Sequence, residues 1–181
     1  MKKISLLTFI LFTLASSTFA QTSLSAGLNA TGSMNVGYWG VSATIEAQHQ
    51  LTPRLSADIS LNGFHDLAPH EELLPNVKVS DYHRSVYSDL GLNFKLIDRK
   101  VDWSIGAGGS YQIGSEQYLQ SASYYGEELT DYHIEKNNFS RFGVFVKNTI
   151  DFGQSVSLNI IVYRFEFWGE YMSIGPSFSI N

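Results

Sequence analysis

VYSDLGLNFKLIDRKVDWSIGAGGSYQI, residues 86–113, contains two alternating strands about a short turn. On the first, Val86, Ser88, Leu90, Leu92, Phe94 and Leu96 share one face, and Tyr87, Asp89, Gly91, Asn93 and Lys95 share the other. On the second, Val101, Trp103, Ile105, Ala107, Gly109 and Tyr111 alternate with Asp102, Ser104, Gly106, Gly108, Ser110 and Gln112. Side chains of a strand point to opposite faces with period two, so each strand has one greasy face and one polar or small face. Folded about Ile97-Asp98-Arg99-Lys100, the hairpin sets Phe94 against Trp103, Leu92 against Ile105 and Lys95 against Asp102. A slip of one residue would carry Lys95 to the apolar side, so the pattern specifies which face is which.

The same alternation recurs on both sides of this hairpin. Strands are expected at 23–30, 37–48 and 55–64 before it, and at 138–152, 156–165 and 171–180 after it. That makes eight strands in four hairpins. Connections of two lengths join them: tight turns at 49–54, 97–100 and 153–155, and long acidic segments at about 65–83 and 114–137. In an up-and-down sheet alternate connections fall on opposite ends, so one end is short-turned and the other carries both long segments. Pro53 lies in a turn, where its missing N–H costs no ladder bond.

Residues 1–20 are set apart as a secretory leader. Lys2 and Lys3 precede the apolar run 4–15, and a small residue, Ala20, precedes Gln21. The run falls short of the roughly 20 residues of a spanning helix. The remaining 161 residues form one domain, 21–181, with 10 basic against 17 acidic side chains, which argues against nucleic acid as a partner. The chain has no cysteine, hence neither disulfides nor a lipoprotein acylation site.

Two closed barrels fit these strands, each the other turned inside out. A lipocalin-like carrier buries the apolar faces; a membrane barrel shows them to lipid. Three features favour the second. The polar faces are rich in Ser and Gly and poor in Lys and Glu, as suits an eight-stranded interior with little room. The charges on those faces have both signs, Glu46, Asp58, Asp89, Asp102 and Asp151 with Lys95, Arg141 and Lys147, so pairing within a filled polar core is available. Aromatic residues gather near strand ends: Phe94, Trp103 and Phe152 at the short-turn end, and Trp39, Tyr111, Phe142, Trp168 and Tyr171 toward the other, as two interfacial girdles. The expected fold is therefore all-β, an eight-stranded antiparallel up-and-down transmembrane β-barrel, with no open channel.

In this pattern the chain resembles the small eight-stranded outer-membrane barrels of Gram-negative bacteria, the OmpX and OmpA-transmembrane-domain type, over residues 21–181. The resemblance is one of architecture and rests on no diagnostic motif. It implies an integral outer-membrane protein, monomeric and in contact with membrane lipid and lipopolysaccharide, inserted by the outer-membrane assembly machinery. It further implies a structural or surface-interaction role through extracellular segments 65–83 and 114–137, without catalysis or cofactor. Family members usually end in an aromatic residue; here Phe178 and Ile180 keep the alternation and Asn181 is last.

Candidates for chemistry are few. His65, Asp66, His70, Glu71 and Glu72 are metal-ligand types, but their spacing matches no known site. The acids of 65–84 and 114–137 read as a solvated surface. His83-Arg84-Ser85 has the His-x-Ser spacing of barrel enzymes that deacylate lipid A, which also need a Glu; the strand ending at Ile113 supplies none. A lipid A-modifying enzyme and a secreted carrier are the two alternatives to a surface-interaction barrel.

Overall fold

The computed structural model describes residues 22–34, 39–66, 71–74, 77–80, 82–125, 128–153, 155–165 and 169–180. The proposed leader lies outside them. Ten strands are present: β1 (Thr22–Ser33), β2 (Trp39–Gln50), β3 (Leu55–Asp66), β4 (Glu71–Leu74), β5 (Val77–Ser80), β6 (Tyr82–Ile97), β7 (Asp102–Tyr125), β8 (Glu128–Asp151), β9 (Val156–Phe165) and β10 (Gly169–Ile180). Eight of them close an antiparallel up-and-down barrel in the order β1-β10-β9-β8-β7-β6-β3-β2, and β4 and β5 form a separate hairpin. Leu24 opposite Ile180 and Ala26 opposite Phe178 belong to the β1–β10 seam that closes it.

The apolar faces point outward. Leu90, Leu92, Ile105 and Val146 are 66%, 52%, 40% and 47% exposed, which rules out the carrier arrangement, in which they would be buried. Along β6 this wall runs from Leu96 to Val86. The ten residue steps between them, at about 3.3 Å each and tilted by about 40°, cover about 25 Å, the height of a membrane barrel's apolar band. A soluble monomer rarely exposes apolar patches beyond a few hundred Å². No helix among the described residues is long and apolar enough to cross a membrane, and a closed barrel pairs every backbone group without one.

The opening hairpin departs from its expected register. Phe94 pairs with Ile105, Leu92 with Ala107 and Lys95 with Ser104, while Trp103 pairs with Ile97 across a bulge at Leu96. The main ladder is thus displaced by two residues from the expected pairing. A two-residue displacement leaves every side chain on its face, so hydrophobic alternation cannot detect it. The turn selects it: Asp102 Oδ1 accepts the Arg99 backbone N–H at 2.8 Å and Oδ2 accepts from Lys95 Nζ at 3.1 Å. Lys95 and Asp102 meet as diagonal neighbours. At the β8–β9 turn Gly153 has φ +116°, a conformation side-chain-bearing residues rarely adopt.

The second long connection is not a loop. β7 and β8 each run for 24 residues, and their ladder continues from Asp102–Asp151 to Tyr125–Glu128. Acid content marked 114–137 as a connection, but a hairpin standing in water needs no apolar face, and Tyr118, Thr130, Tyr132 and Ile134 are good strand formers. Part of the 65–83 segment is likewise strand, the short hairpin β4–β5.

Candidate functional site

The lower interior, toward the short turns, is a polar network. Lys147 Nζ from β8 donates to both carboxylate oxygens of Glu46 from β2, at 2.5 and 2.6 Å, with both groups buried. Asp89 accepts from Ser60 at 3.0 Å, Asn62 at 2.8 Å, Ser110 at 2.5 Å and the Tyr163 hydroxyl at 3.0 Å, so its charge is spread over donors from three other strands. Asn29, Thr44 and Asn62 form a further chain, and Thr31, Ser42 and Ser173 another near the opposite ends of β1, β2 and β10. Buried hydrogen-bonded networks of this kind favour one arrangement of the strands around them.

Small residues make the room. A Cβ on Gly91 would lie 2.6 Å from the Phe145 ring and 3.2 Å from Asp58 Oδ1. Gly91→Val is expected to lower stability by about 1–3 kcal/mol through overpacking, read as a lower urea midpoint for the detergent-folded protein. Below the Glu46–Lys147 pair a polar vestibule of about 380 Å³ opens toward the short turns, with Ser23, Ser25, Asp102 and Asp151 on its walls.

Above the network the interior turns aromatic. Tyr87 stacks on Tyr163 with centroids 5.4 Å apart and on Phe165 at 5.7 Å; Tyr171 meets Phe165 edge-on at 5.9 Å. Phe145 and Phe64 complete a buried cluster that bridges β3, β6, β8, β9 and β10. Sequence reading missed this plug and assigned Tyr171 to the outer girdle, whereas Tyr171 is 2% exposed inside the barrel. The signal was present: Tyr87, Phe145, Tyr163 and Tyr171 each sit on the Ser- and Gly-bearing face of their strand.

The eight charged residues singled out in the sequence separate into three groups. Glu46, Asp58, Asp89 and Lys147 are buried in the interior. Lys95, Asp102 and Asp151 are half-buried at the short-turn mouth. Arg141 lies at the opposite end, its guanidinium 4.0 Å from the Phe139 ring centroid and 3.8 Å from Glu116. Of the girdle residues, Trp39, Phe94, Trp103 and Phe152 are exposed on the outer wall, and Tyr111 packs on Phe142 at 4.7 Å. Trp168 lies outside the described residues.

The longer β7 changes the surroundings of the His-x-Ser pair. Glu116 stands directly opposite His83, with Nδ1 and Oε2 3.5 Å apart, correcting the expectation that the next strand offers no Glu. The His83 ring and then the Arg141 charge hold the Glu116 carboxyl below its ordinary range, at a height above the apolar band. All three residues face inward. His83 is 1% and Ser85 5% exposed, with the His83 ring stacked on Phe139 and tilted against Phe64 and Tyr171, so a lipid ester outside the wall has no approach to them. Among the described residues no three His, Asp or Glu side chains are placed to hold a metal ion.

Beyond the barrel, β7 and β8 project as a two-stranded ribbon. β6 leaves β7 at Gln117, and β9 leaves β8 at Gly143. From Tyr118 to Tyr125 the ribbon rises for eight residues, about 26 Å at strand spacing. Tyr125 and Tyr132 are exposed on it, and Asn137 bridges the Tyr118 hydroxyl and Glu135.

An apolar wall facing out, a hydrogen-bonded polar core and a closed up-and-down ladder decide the class. The fold is that of the small outer-membrane barrels. No protein-family model and no curated protein matches the sequence. Solved structures do. The attachment invasion locus protein Ail of Yersinia pestis superposes with a TM-score of 0.53 at 8% identity, over 88% of this chain and 97% of that one. Its complex with the heparin analogue sucrose octasulfate gives 0.54 at the same identity and coverage. A major outer membrane protein of Thermus thermophilus gives 0.51 at 12% identity, over 88% and 99%. At such identities the likeness is one of fold. This small outer-membrane barrel shares their fold, and its interior must be read from its own residues.

Proposed function

We propose that this chain is a monomeric integral outer-membrane protein, exported through the leader 1–20 and inserted by the outer-membrane assembly machinery. In this reading the short turns face the periplasm and the β7–β8 ribbon stands outside the cell. Its role is surface interaction, carried by the ribbon, and involves no catalysis, cofactor or conduction. The observation that carries the reading is the contrast between a filled interior and a projecting ribbon whose two strand edges, among the described residues, run past β6 and β9. Unpaired edges accept an additional strand from a partner. The acids Glu127, Glu128, Asp131 and Glu135 against Lys136 favour a partner surface that is basic, unlike the polyanion bound in the Ail complex.

Removing residues 119–134 and closing the gap with Gly-Gly is expected to leave a barrel that still shifts in electrophoretic mobility on heating and still inserts into vesicles. Attachment of cells displaying the shortened chain to host-cell or matrix surfaces is expected to fall to the level of cells without it. Unchanged attachment would overturn the role of the ribbon.

A further inference from the structure

One carboxylate of the lower interior is left uncompensated by its neighbours. Glu46 accepts two bonds from Lys147, and Asp89 is ringed by four donors. Asp58 on β3 is 5% exposed, yet among the described residues no hydrogen-bond donor reaches its Oδ1. The charged groups that act on it are Lys147, Glu46 and Asp89, and Lys147 is committed to Glu46. Three carboxylates against one ammonium leave two negative charges in a space walled by the barrel. A buried charge without a partner is costly.

The surroundings of Asp58 supply oxygen and room. Directly across from it stand Gln48 on β2 and Gly91 on β6. A Cβ on Gly91 would lie 3.2 Å from Asp58 Oδ1, so glycine there leaves the space beside that oxygen open. Asn93, 3% exposed, hydrogen-bonds Asp58, and its own Oδ1 meets no donor among the described residues. Gln48, Ser56 and Asn93 in turn line a polar cavity of about 360 Å³. That cavity shares Ser23, Gln48, Ser104 and Asp151 with the vestibule below the Glu46–Lys147 pair. A continuous polar path thus leads from the short-turn mouth to the neighbours of Asp58.

We propose that Asp58 anchors one divalent cation of the calcium class inside the barrel. Asp58 Oδ1 is the charged ligand, a half-turn of the Asn93 amide presents its oxygen to the same ion, and water from the cavity fills the remaining positions. An all-oxygen set without thiolate or imidazole suits a hard cation, and calcium accepts irregular arrangements of about 6–8 oxygens. One divalent ion balances the two excess charges, whereas a monovalent ion leaves one. The site needs no cluster of acids, because the ion keeps much of its water. With so few protein ligands its affinity is that of weak extracellular calcium sites, Kd about 0.1–1 mM.

The test uses the full chain folded in neutral detergent and unfolded by urea in calcium, in sodium or in chelator, at matched ionic strength. Heat-shifted mobility counts the folded fraction. At about 10 mM calcium the folding equilibrium constant of wild type is expected to rise about 10–100-fold over the chelated protein. D58N keeps the shape and removes the charge; it is expected to show no rise and to be no less stable than chelated wild type. N93D, which exchanges an amide oxygen for a carboxylate, is expected to enlarge the rise. D151N at the mouth and the chain shortened in the ribbon are expected to keep the wild-type rise. No rise in wild type, an equal rise with sodium, or an equal rise in D58N overturns the site. So does an N93D rise no larger than that of wild type, which holds the test open to failure even for a D58N chain that does not fold. Loss of the rise with the ribbon overturns the site in favour of the ribbon's acids, and loss in D151N in favour of the mouth.

Discussion

Lys147→Met is expected to destabilise the folded barrel by about 3–5 kcal/mol, because it strands the buried Glu46 carboxylate without its cation. Lys147 is 4% exposed and is the only cation among the described residues that bonds Glu46. The two groups come from strands on different parts of the wall, 101 residues apart in sequence, so the pair ties β2 to β8 through the interior. The double variant Glu46→Leu with Lys147→Met removes both charges and is expected to recover most of the loss, since apolar replacement of a whole buried pair is often neutral. Urea unfolding in lipid vesicles, followed by the heat-sensitive mobility shift, measures both variants against wild type. A single variant no less stable than the double would show that Glu46 finds other compensation.

Leu90→Arg is the second large effect. Leu90 is 66% exposed at the middle of the outer wall of β6 and, with Leu92, lies farthest from either edge of the apolar band. Arginine at a bilayer midplane costs a barrel about 2–4 kcal/mol, falling to about 0–1 kcal/mol near the interface. Val86→Arg, at the upper edge of the band on the same strand, is the matched control and is expected to show the smaller figure. For a wall in water both substitutions would stay within about 0.5 kcal/mol, as surface changes do. The difference between the two positions, measured in vesicles, therefore reports what solvent the wall faces.

The faces of the strands were legible in the sequence because alternation has period two and the chemistry of the two sides differs. Leu90, Leu92 and Ile105 against Asp89, Gly91 and Gly106 leave no ambiguity about pairing of faces. Register was less legible: displacement by two residues between Phe94 and its partner changes no face, and only the bulge at Leu96 and the bonds of Asp102 select it. The upper halves of β7 and β8 were illegible for a related reason. Once both faces of a hairpin are wet, alternation of apolar and polar side chains has nothing to report, and Glu116 was lost with the strand that carries it. The interior was only half read. Charges on the inward faces drew attention to Glu46 and Lys147, while Tyr87, Phe145, Tyr163 and Tyr171 on the same faces were passed over, because aromatic residues at strand ends suggest an interface before they suggest a plug.

The continuation of β7 from the barrel wall to Tyr125 has a mechanical consequence. A flexible loop lets its tip wander, whereas a ribbon continuous with the membrane wall behaves as a ruler. Its last described pair, Tyr125 and Glu128, stands at a set height above the end of the barrel, adjustable by about 3.3 Å for each residue added to both strands. Its bulges, between Leu119 and Ser121 and between Ser123 and Tyr124, turn that pair to a set azimuth. In the proposed reading, a partner strand added to the ribbon's edge would be loaded along the strand axis, where the bonds of the added ladder share the force in shear.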